Sequence, residues 1–434
     1  MRLSRLARGV WGLIRPEPAT RVEIEKYQLG CIRDLVTHAY GRVPYYRRLF
    51  DDAGVRPRDI RSLDDLAAIP ITSRADIQLL PASEVCAAGV RIDSLRVRNT
   101  SGSTGAPLTV RRAIGEERML LAFRLRSRAG MGLGLRARRA RIDHFDPDNL
   151  PDEKAKKFYE RFNILPRLNI DWRSPKEEIL GELDLFRPHA ISSPPSILAW
   201  LAETLTADDL QRLSAKFLFA GGEQMTPGMR KQIDECFGLP IFEGYGSHEV
   251  VFIACKRPGC RGFKVCEEAV ILEVLNGDRP AEPGEAGEVV ITALHSYAMP
   301  FIRYRLGDLV VVGDPIGPYK SLRSIEGRTI DRFFLPSGRV VHGYVLGEAV
   351  EQSGLPVRRF QITQELRNEF RVRVVLEGGA DSILERLESA LLERLEPGVS
   401  VHIDVVDSVE RRDGRKFYPF VSIERIEAWR SSKS

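Results

Sequence analysis

Apolar positions recur at helical spacing from the start of the chain. Leu3, Leu6, Val10, Trp11 and Ile14 fall on one helix face, with Arg2, Arg5, Arg8 and Arg15 beside it. Such a face suits a membrane surface or, more commonly, packing on its own domain. Ile24, Tyr27, Cys31, Ile32 and Leu35 keep the same period and predict a helix opening the 21–50 region. HAYGRVPYYRRLF and a turn-rich connection then lead to LDDLAAIPITSRADI. From about residue 93 to 330 two kinds of segment alternate. VFIAC, AVILEVL and GEVVITAL read as β-rich. GEERMLLAFRLRSRA, PPSILAWLAETL and TPGMRKQIDECFG read as helical. Alternation of this kind predicts α/β or α+β layering.

The punctuation changes near EGRTIDRFFLPSGR. Beyond it VVHGY predicts a strand, VLGEAVEQ a helix, and RRFQITQ with RVRVVLEG a strand pair. Ile383, Leu384, Leu387, Leu391 and Leu395 stripe a further helix, and VHIDVV and KFYPFVSIE predict strands. That set makes a complete small α+β domain. The boundary is placed near Ile330, giving domains 1–330 and 331–434.

Composition narrows the picture. The 434 residues carry 65 Lys and Arg against 60 Asp and Glu, a net charge of +5 with no concentrated basic stripe. A nucleic-acid binder is therefore not expected. Six cysteines are too few for a disulfide scaffold in a chain this long. Neither a secretory leader nor an apolar run of the ~18 residues needed for a membrane span is visible, so a cytoplasmic protein is expected.

Four segments carry candidate chemistry. NTSGSTGAPLTV packs glycines and hydroxyls together, so backbone N–H groups and side-chain donors can approach an anion. A phosphate cradle and a plain polar hairpin both fit. FLFAGGEQMTPGMRKQI runs an apolar strand into a double glycine, and Thr226-Pro227 then forms a good helix start. PIFEGYGSHEV ends a strand in a glycine-flanked tyrosine followed by His248 and Glu249, a carboxylate suited to Mg²⁺. PFIRYRLGDLVVV places Asp308 after a glycine, at an expected turn between strands, where a carboxylate can accept from two vicinal hydroxyls. Each of the last three also fits an ordinary turn.

Together and in this order, TSGSTGAPL, AGGEQ, YGSHE, YRLGDL and EGRTID resemble the motifs of the adenylate-forming superfamily of acyl-CoA ligases, on the phenylacetate–CoA ligase branch. HAYGRVPYYRRLFDDAGVRPRDIRSLDDLAAIPITSRADI is similar to that branch's N-terminal region, so the resemblance spans nearly the whole chain. It implies a large N-terminal α/β domain with helix-flanked β-sheets and a small mobile α+β C-terminal domain. It implies ATP-dependent activation of an aryl or other organic carboxylate to an acyl-adenylate, followed by transfer to CoA.

The resemblance also implies roles by position. Ser101, Gly102, Ser103, Thr104 and Gly105 would hold the β- and γ-phosphates of ATP. Gly222 and Glu223 would line the adenine side and Tyr245 would stack near it. Asp308 would take the ribose hydroxyls with Arg328 nearby. Glu249 would carry Mg²⁺, and His248 would face the α-phosphate. Asp331 would be the hinge and Lys416 the mobile lysine of adenylation. Homodimers are common in the family. Two positions depart from its pattern. Ala106 stands where many relatives carry lysine, with Arg111 and Arg112 as the next cations, and His248 replaces a threonine or serine. These departures keep two other readings open, a non-catalytic nucleotide-binding member and an adenylating enzyme whose acceptor is an amine, a sugar or a carrier-protein thiol.

Cys255, Cys260 and Cys266 place three of the six cysteines within twelve residues, and thiolates favour Zn²⁺. A structural zinc site and three unpaired thiols are the two readings. A zinc-centred interaction module would follow from the first. Cys31, Cys86 and Cys236 read as buried small apolar residues. His144 follows a very arginine-rich stretch that borders the acid pocket in relatives, so contact with a substrate carboxylate is one role and a core or surface histidine the other.

Overall fold

The computed structural model describes residues 17–99, 108–129, 133–134, 136–143, 166–376, 384–409 and 417–431. The N-terminal amphipathic face at 3–14, the loop 100–107, His144 and Lys416 lie outside the described residues. The chain divides into two compact units, each built from separated stretches. One holds Met1–Gly102, Ala106–Leu135 and Glu243–Ile325; the other holds Ser103–Gly105, Arg136–Phe242 and Glu326–Ser434.

The first unit is built on antiparallel strands. Val270–Asn276 pairs with Arg279–Pro280 on one side and with Ala286–Ala293 on the other. Ala286–Ala293 pairs with Tyr304–Ile316, and Phe263–Val265 pairs with both Ala254–Lys256 and Tyr319–Arg328. The predicted helix at 21 is present as Arg21–Arg42. Thr20 caps it by accepting from the Glu23 N–H, and Glu23 suits the positive end of the helix dipole. Ile24, Cys31, Ile32, Leu35, Val36 and Ala39 form its buried face. Val43, just before Pro44, is extended, as proline disfavours the helical region for its predecessor, and ends the helix. Pro44 then starts the next helix, Pro44–Asp52. A hairpin of Arg96–Asn99 and Thr109–Arg112 leads into the predicted helix Ile114–Ala129.

The second unit contains the α/β alternation that the sequence predicts. Strands Arg139–Asp143, Arg167–Asp171, Ala190–Ser193 and Phe217–Gly221 are parallel. Helices Lys176–Phe186, Pro195–Thr204 and Pro227–Phe237 connect and flank them. Parallel neighbours need such crossovers. The C-terminal part of this unit has its own four-stranded sheet, ordered Ser400–Val405, Glu369–Leu376, Val357–Leu366, Phe420–Val421. Its core gathers Phe333, Leu346, Phe360, Phe370, Leu387 and Phe420.

Three local expectations are corrected. KFYPFVSIE is not one strand: only Phe420–Val421 pairs, and helix Ile423–Ser431 follows at once. VFIAC becomes a strand only from Ala254, because Val251 lies in the left-handed region at φ 72°. Cys236 is half-buried, whereas Cys31 and Cys86 are buried as expected. No described helix is long and apolar enough to cross a membrane.

Candidate functional site

In the first unit, Tyr245 and Asp308 meet. Tyr245 is the last residue of strand Ile241–Tyr245, and its hydroxyl donates to Asp308 Oδ2 at 2.7 Å. Both are buried, and the Tyr245 ring belongs to the unit's hydrophobic core. Asp308 does not occupy a turn between strands. It lies inside strand Tyr304–Ile316, where Leu309 pairs with Glu288 but Arg305 pairs with Val290. Three residues therefore face one, which is a β-bulge, with Gly307 at φ 74°. Bulges commonly re-aim a side chain beside a functional site.

The strand enters this bulge from a strained start. Arg303 has φ 44°, rare for a non-glycine residue. Its guanidinium pairs with Glu273 at 2.8 Å and donates to the carbonyls of Ala67 and Ile69 at 2.9 and 2.6 Å. Thr72 brackets the same point, giving its N–H to Arg303 O and accepting from Arg305 N, each at 2.8 Å. Such over-determination is what holds an unfavourable backbone in place.

The turn after Tyr245 is equally constrained. Val251, a β-branched residue with positive φ, donates its N–H to Ser247 O at 2.6 Å. A Cβ on Gly246 would overlap the Val251 carbonyl, so only glycine fits there. Ser247 Oγ accepts from Val250 N at 3.3 Å. This turn exposes His248 and buries Glu249. The His248 carbonyl accepts a hydrogen bond from the Arg112 guanidinium. The Glu249 carboxylate makes no hydrogen bond or ion pair among the described residues, an arrangement that fits a hard cation. Arg112 was not separated from Arg111 by composition. The signal was strand alternation: Leu108, Val110 and Arg112 share the buried face, and Arg111 points the other way.

In the second unit, Gly222 and Glu223 follow the C-terminal end of strand Phe217–Gly221, the usual ligand edge of a parallel sheet. Gly222 takes φ 88°. Thr226 caps the next helix by accepting from Met229 N, and Pro227 is its first residue. Glu223 Oε2 accepts from the N–H of Ser196, in the first turn of helix Pro195–Thr204, at 3.3 Å and from its hydroxyl. Glu223 Oε1 accepts from Phe417 N at 3.3 Å. The chain is thus anchored at Glu223 immediately after Lys416. Phe417 is buried in the same core as Met229 and Ile233.

The expected hinge residue Asp331 is buried. Its Oδ2 accepts from Arg328 N at 3.2 Å, and Oδ1 accepts from Arg425 Nε at 2.6 Å. Arg425 is fully buried and lies over the Tyr418 ring, 4.4 Å from the centroid. Burial pushes the Asp331 carboxyl upward, and Arg425 opposes that shift. Ser422 ties the same junction by donating to Ile330 O at 2.6 Å.

The zinc expectation is not supported. No group of three or more His, Cys, Asp or Glu side chains placed to hold a metal occurs among the described residues. Cys260 lies exposed in a turn, while Cys255 is buried beside Ser127 Oγ at 3.8 Å. Burial pushes the Cys266 thiol up to about 12.

A family model described as AMP-binding enzyme matches residues 164–296. The phenylacetate-coenzyme A ligase of Thermus thermophilus is 29% identical over 321 residues, covering 68% of each chain. That of Escherichia coli is 26% identical over 394 residues, covering 86% of this chain and 84% of its own. The solved structure of a 2-hydroxyisobutyryl-CoA ligase, in its postadenylation state with an acyl-adenylate, superposes with a TM-score of 0.75 at 22% identity, covering 97% of both chains. That likeness establishes the fold.

Proposed function

We propose that this chain, which belongs to the AMP-binding, adenylate-forming enzymes of the phenylacetate–CoA ligase branch, joins an organic carboxylate to CoA through an acyl-adenylate. A carboxylate oxygen attacks the α-phosphorus of ATP and pyrophosphate leaves. The CoA thiol then attacks the acyl carbon, and AMP leaves as the thioester forms. The observation that carries this reading is the Tyr245–Asp308 hydrogen bond. It joins two motifs 63 positions apart into one buried polar pair. A ribose needs a carboxylate held in a fixed direction, and the bulge and the tyrosine hydroxyl supply that.

The remaining roles follow the family pattern. Ser101, Gly102, Ser103, Thr104 and Gly105 receive the β- and γ-phosphates. Gly222 and Glu223 would face adenine, Asp308 would take the ribose, and Arg328 would serve the same ligand. Glu249 would hold Mg²⁺, which when bound offsets phosphate charge as pyrophosphate departs. Residues 331–434 act as the moving domain, with Asp331 at its junction. Lys416 serves adenylation: its ammonium lies between two anions, the incoming carboxylate and the α-phosphate, that otherwise repel. The anchoring of Phe417 on the Glu223 loop supports that placement. The acid is read as aryl or acyl, and the reaction as cytoplasmic.

The test is ATP–pyrophosphate exchange over aryl, fatty and amino acids, with thioester formation followed with and without CoA. One acid class should support exchange, and CoA should complete the reaction. Exchange with no thioester would redirect the acyl group to another acceptor. ATP binding with no exchange on any acid would overturn the reading. Lys416→Ala should lose adenylation and still convert a supplied acyl-adenylate and CoA to thioester.

A further inference from the structure

Arg112 is a buried cation, only 3% exposed, at the end of the strand that leaves the 100–107 loop. Burying a guanidinium costs several kcal/mol unless acceptors or anions compensate. Here its one hydrogen bond among the described residues goes to the His248 carbonyl. Its Nε is buried with no partner among the described residues. Glu116, Glu117 and Glu249 act on it through their charge, without an ion pair among the described residues. Glu116 is itself occupied, accepting from the backbone N–H of Ala113, Tyr297 and Ala298. The guanidinium therefore sits between two parts of the chain that the sequence assigns to one ligand. On one side is the hairpin carrying the glycine- and hydroxyl-rich loop. On the other is the strained turn that presents Glu249.

We infer that Arg112 is the positioning residue of this site. It fastens the His248–Glu249 turn to strand Thr109–Arg112, so that the Mg²⁺-binding carboxylate of Glu249 is held in one direction. The inference rests on the proposed ATP-dependent function. Its planar fork makes the device specific. One Nη2–H reaches the His248 carbonyl while the charge is felt by Glu116, Glu117 and Glu249, and a lysine ammonium lacks the fork that aims that N–H. Arg111 lies on the other face of the strand and cannot serve.

The experiment compares Arg112→Lys and Arg112→Gln with wild type, and with Arg111→Gln, in the full chain. Three quantities are measured: the Mg²⁺ concentration giving half-maximal pyrophosphate exchange, the KM for the acid, and thioester formation from a supplied acyl-adenylate. Both Arg112 variants should raise the Mg²⁺ requirement and lower the exchange rate by roughly tenfold or more, the scale of a lost charged hydrogen bond. The acid KM and the thioester step should stay near wild type, and Arg111→Gln should shift the Mg²⁺ requirement by less than about twofold, since Arg111 lies on the other face of the strand. If Arg112→Lys matches wild type, a point charge suffices and the positioning role is wrong. If both half-reactions fall together, the residue is only structural. Should Arg112→Gln fail to fold, Arg112→Lys alone decides. A wild-type protein with no exchange on any acid sinks the ATP-dependent reading itself.

Discussion

The Tyr245–Asp308 region and the Gly222–Glu223 region place carboxylates by opposite means. Glu223 needs no unusual side-chain-bearing backbone. It follows a parallel strand, and a neighbouring helix start supplies Ser196 as its partner. Asp308 and Glu249 instead depend on strain, with Arg303 and Val251 at positive φ and a bulge in the strand. A regular strand–loop–helix connection tolerates change because the topology recreates it. A strained turn is held only by its specific contacts, so losing one releases the functional group.

The sharpest way to break this contrast is a pair of glycine substitutions. Gly246→Ala drives a methyl into the Val251 carbonyl, and overpacking of this kind costs roughly 1–3 kcal/mol while displacing Glu249. Adenylation should fall further than stability does, as read by pyrophosphate exchange beside chemical denaturation. Gly222→Ala meets no protein atom and pays for its φ of 88°, about 1–2 kcal/mol, so exchange should fall less than in Gly246→Ala. Equal loss of exchange in both variants would end the distinction.

Next in size, Asp308→Ala should weaken ATP binding by roughly 1.5–3 kcal/mol, the scale for hydrogen bonds to a charged group. Tyr245→Phe removes only the orienting hydroxyl and should cost about 0.5–1.5 kcal/mol. Calorimetric titration with ATP separates the two, and the reverse order would mean that the tyrosine, not the carboxylate, is the anchor.

These sites were legible to different degrees. Strand Phe217–Gly221, helices Pro195–Thr204 and Pro227–Phe237 and the AGGEQ loop followed from apolar periodicity and from Thr226-Pro227, because regular elements write themselves into local spacing. Val251 did not. A β-branched residue beside Phe252 and Ile253 reads as strand, and only the close approach to Gly246 holds it otherwise. Asp308 read as a turn because glycine precedes it. Whether a Gly-Asp step makes a turn or a bulge depends on the partner strand, Ala286–Ala293, which local sequence does not name. The C-terminal strand was over-extended because FYPFVSI has the right residue types, while Ser422 stops the strand by tying Ile330 and capping the next helix.

A smaller effect is expected at Ser196. Ser196→Ala removes one of the donors to Glu223, and a neutral donor contributes about 1 kcal/mol. ATP affinity should drop slightly, with the thioester step unchanged. A tenfold loss would mean that the regular region is as tightly determined as the strained one.

The smallest concerns pH. Asp209 accepts from Thr206 N at 2.9 Å and pairs with Lys176 at 2.7 Å, capping helix Ala207–Arg212. These contacts hold its carboxyl down to about 2, from an ordinary 3.8. A depressed folded-state value means that the stabilisation is full above 3.8 and fades as pH falls toward about 2. Asp209→Asn should flatten the unfolding midpoint across that window and leave it unchanged near neutrality. An identical acid profile in the variant would remove the cap from the account.

The buried Arg425–Asp331 contact bears on how the gene tolerates damage. The final described helix carries a cation that is enclosed completely. A stop codon between positions 417 and 425 would spare every motif named for catalysis. It would still strand Asp331 as an enclosed carboxylate, a loss on the scale of 3–5 kcal/mol for a broken buried pair. Such an allele would be cleared by cellular proteolysis as unfolded chain and would not persist as a shortened enzyme.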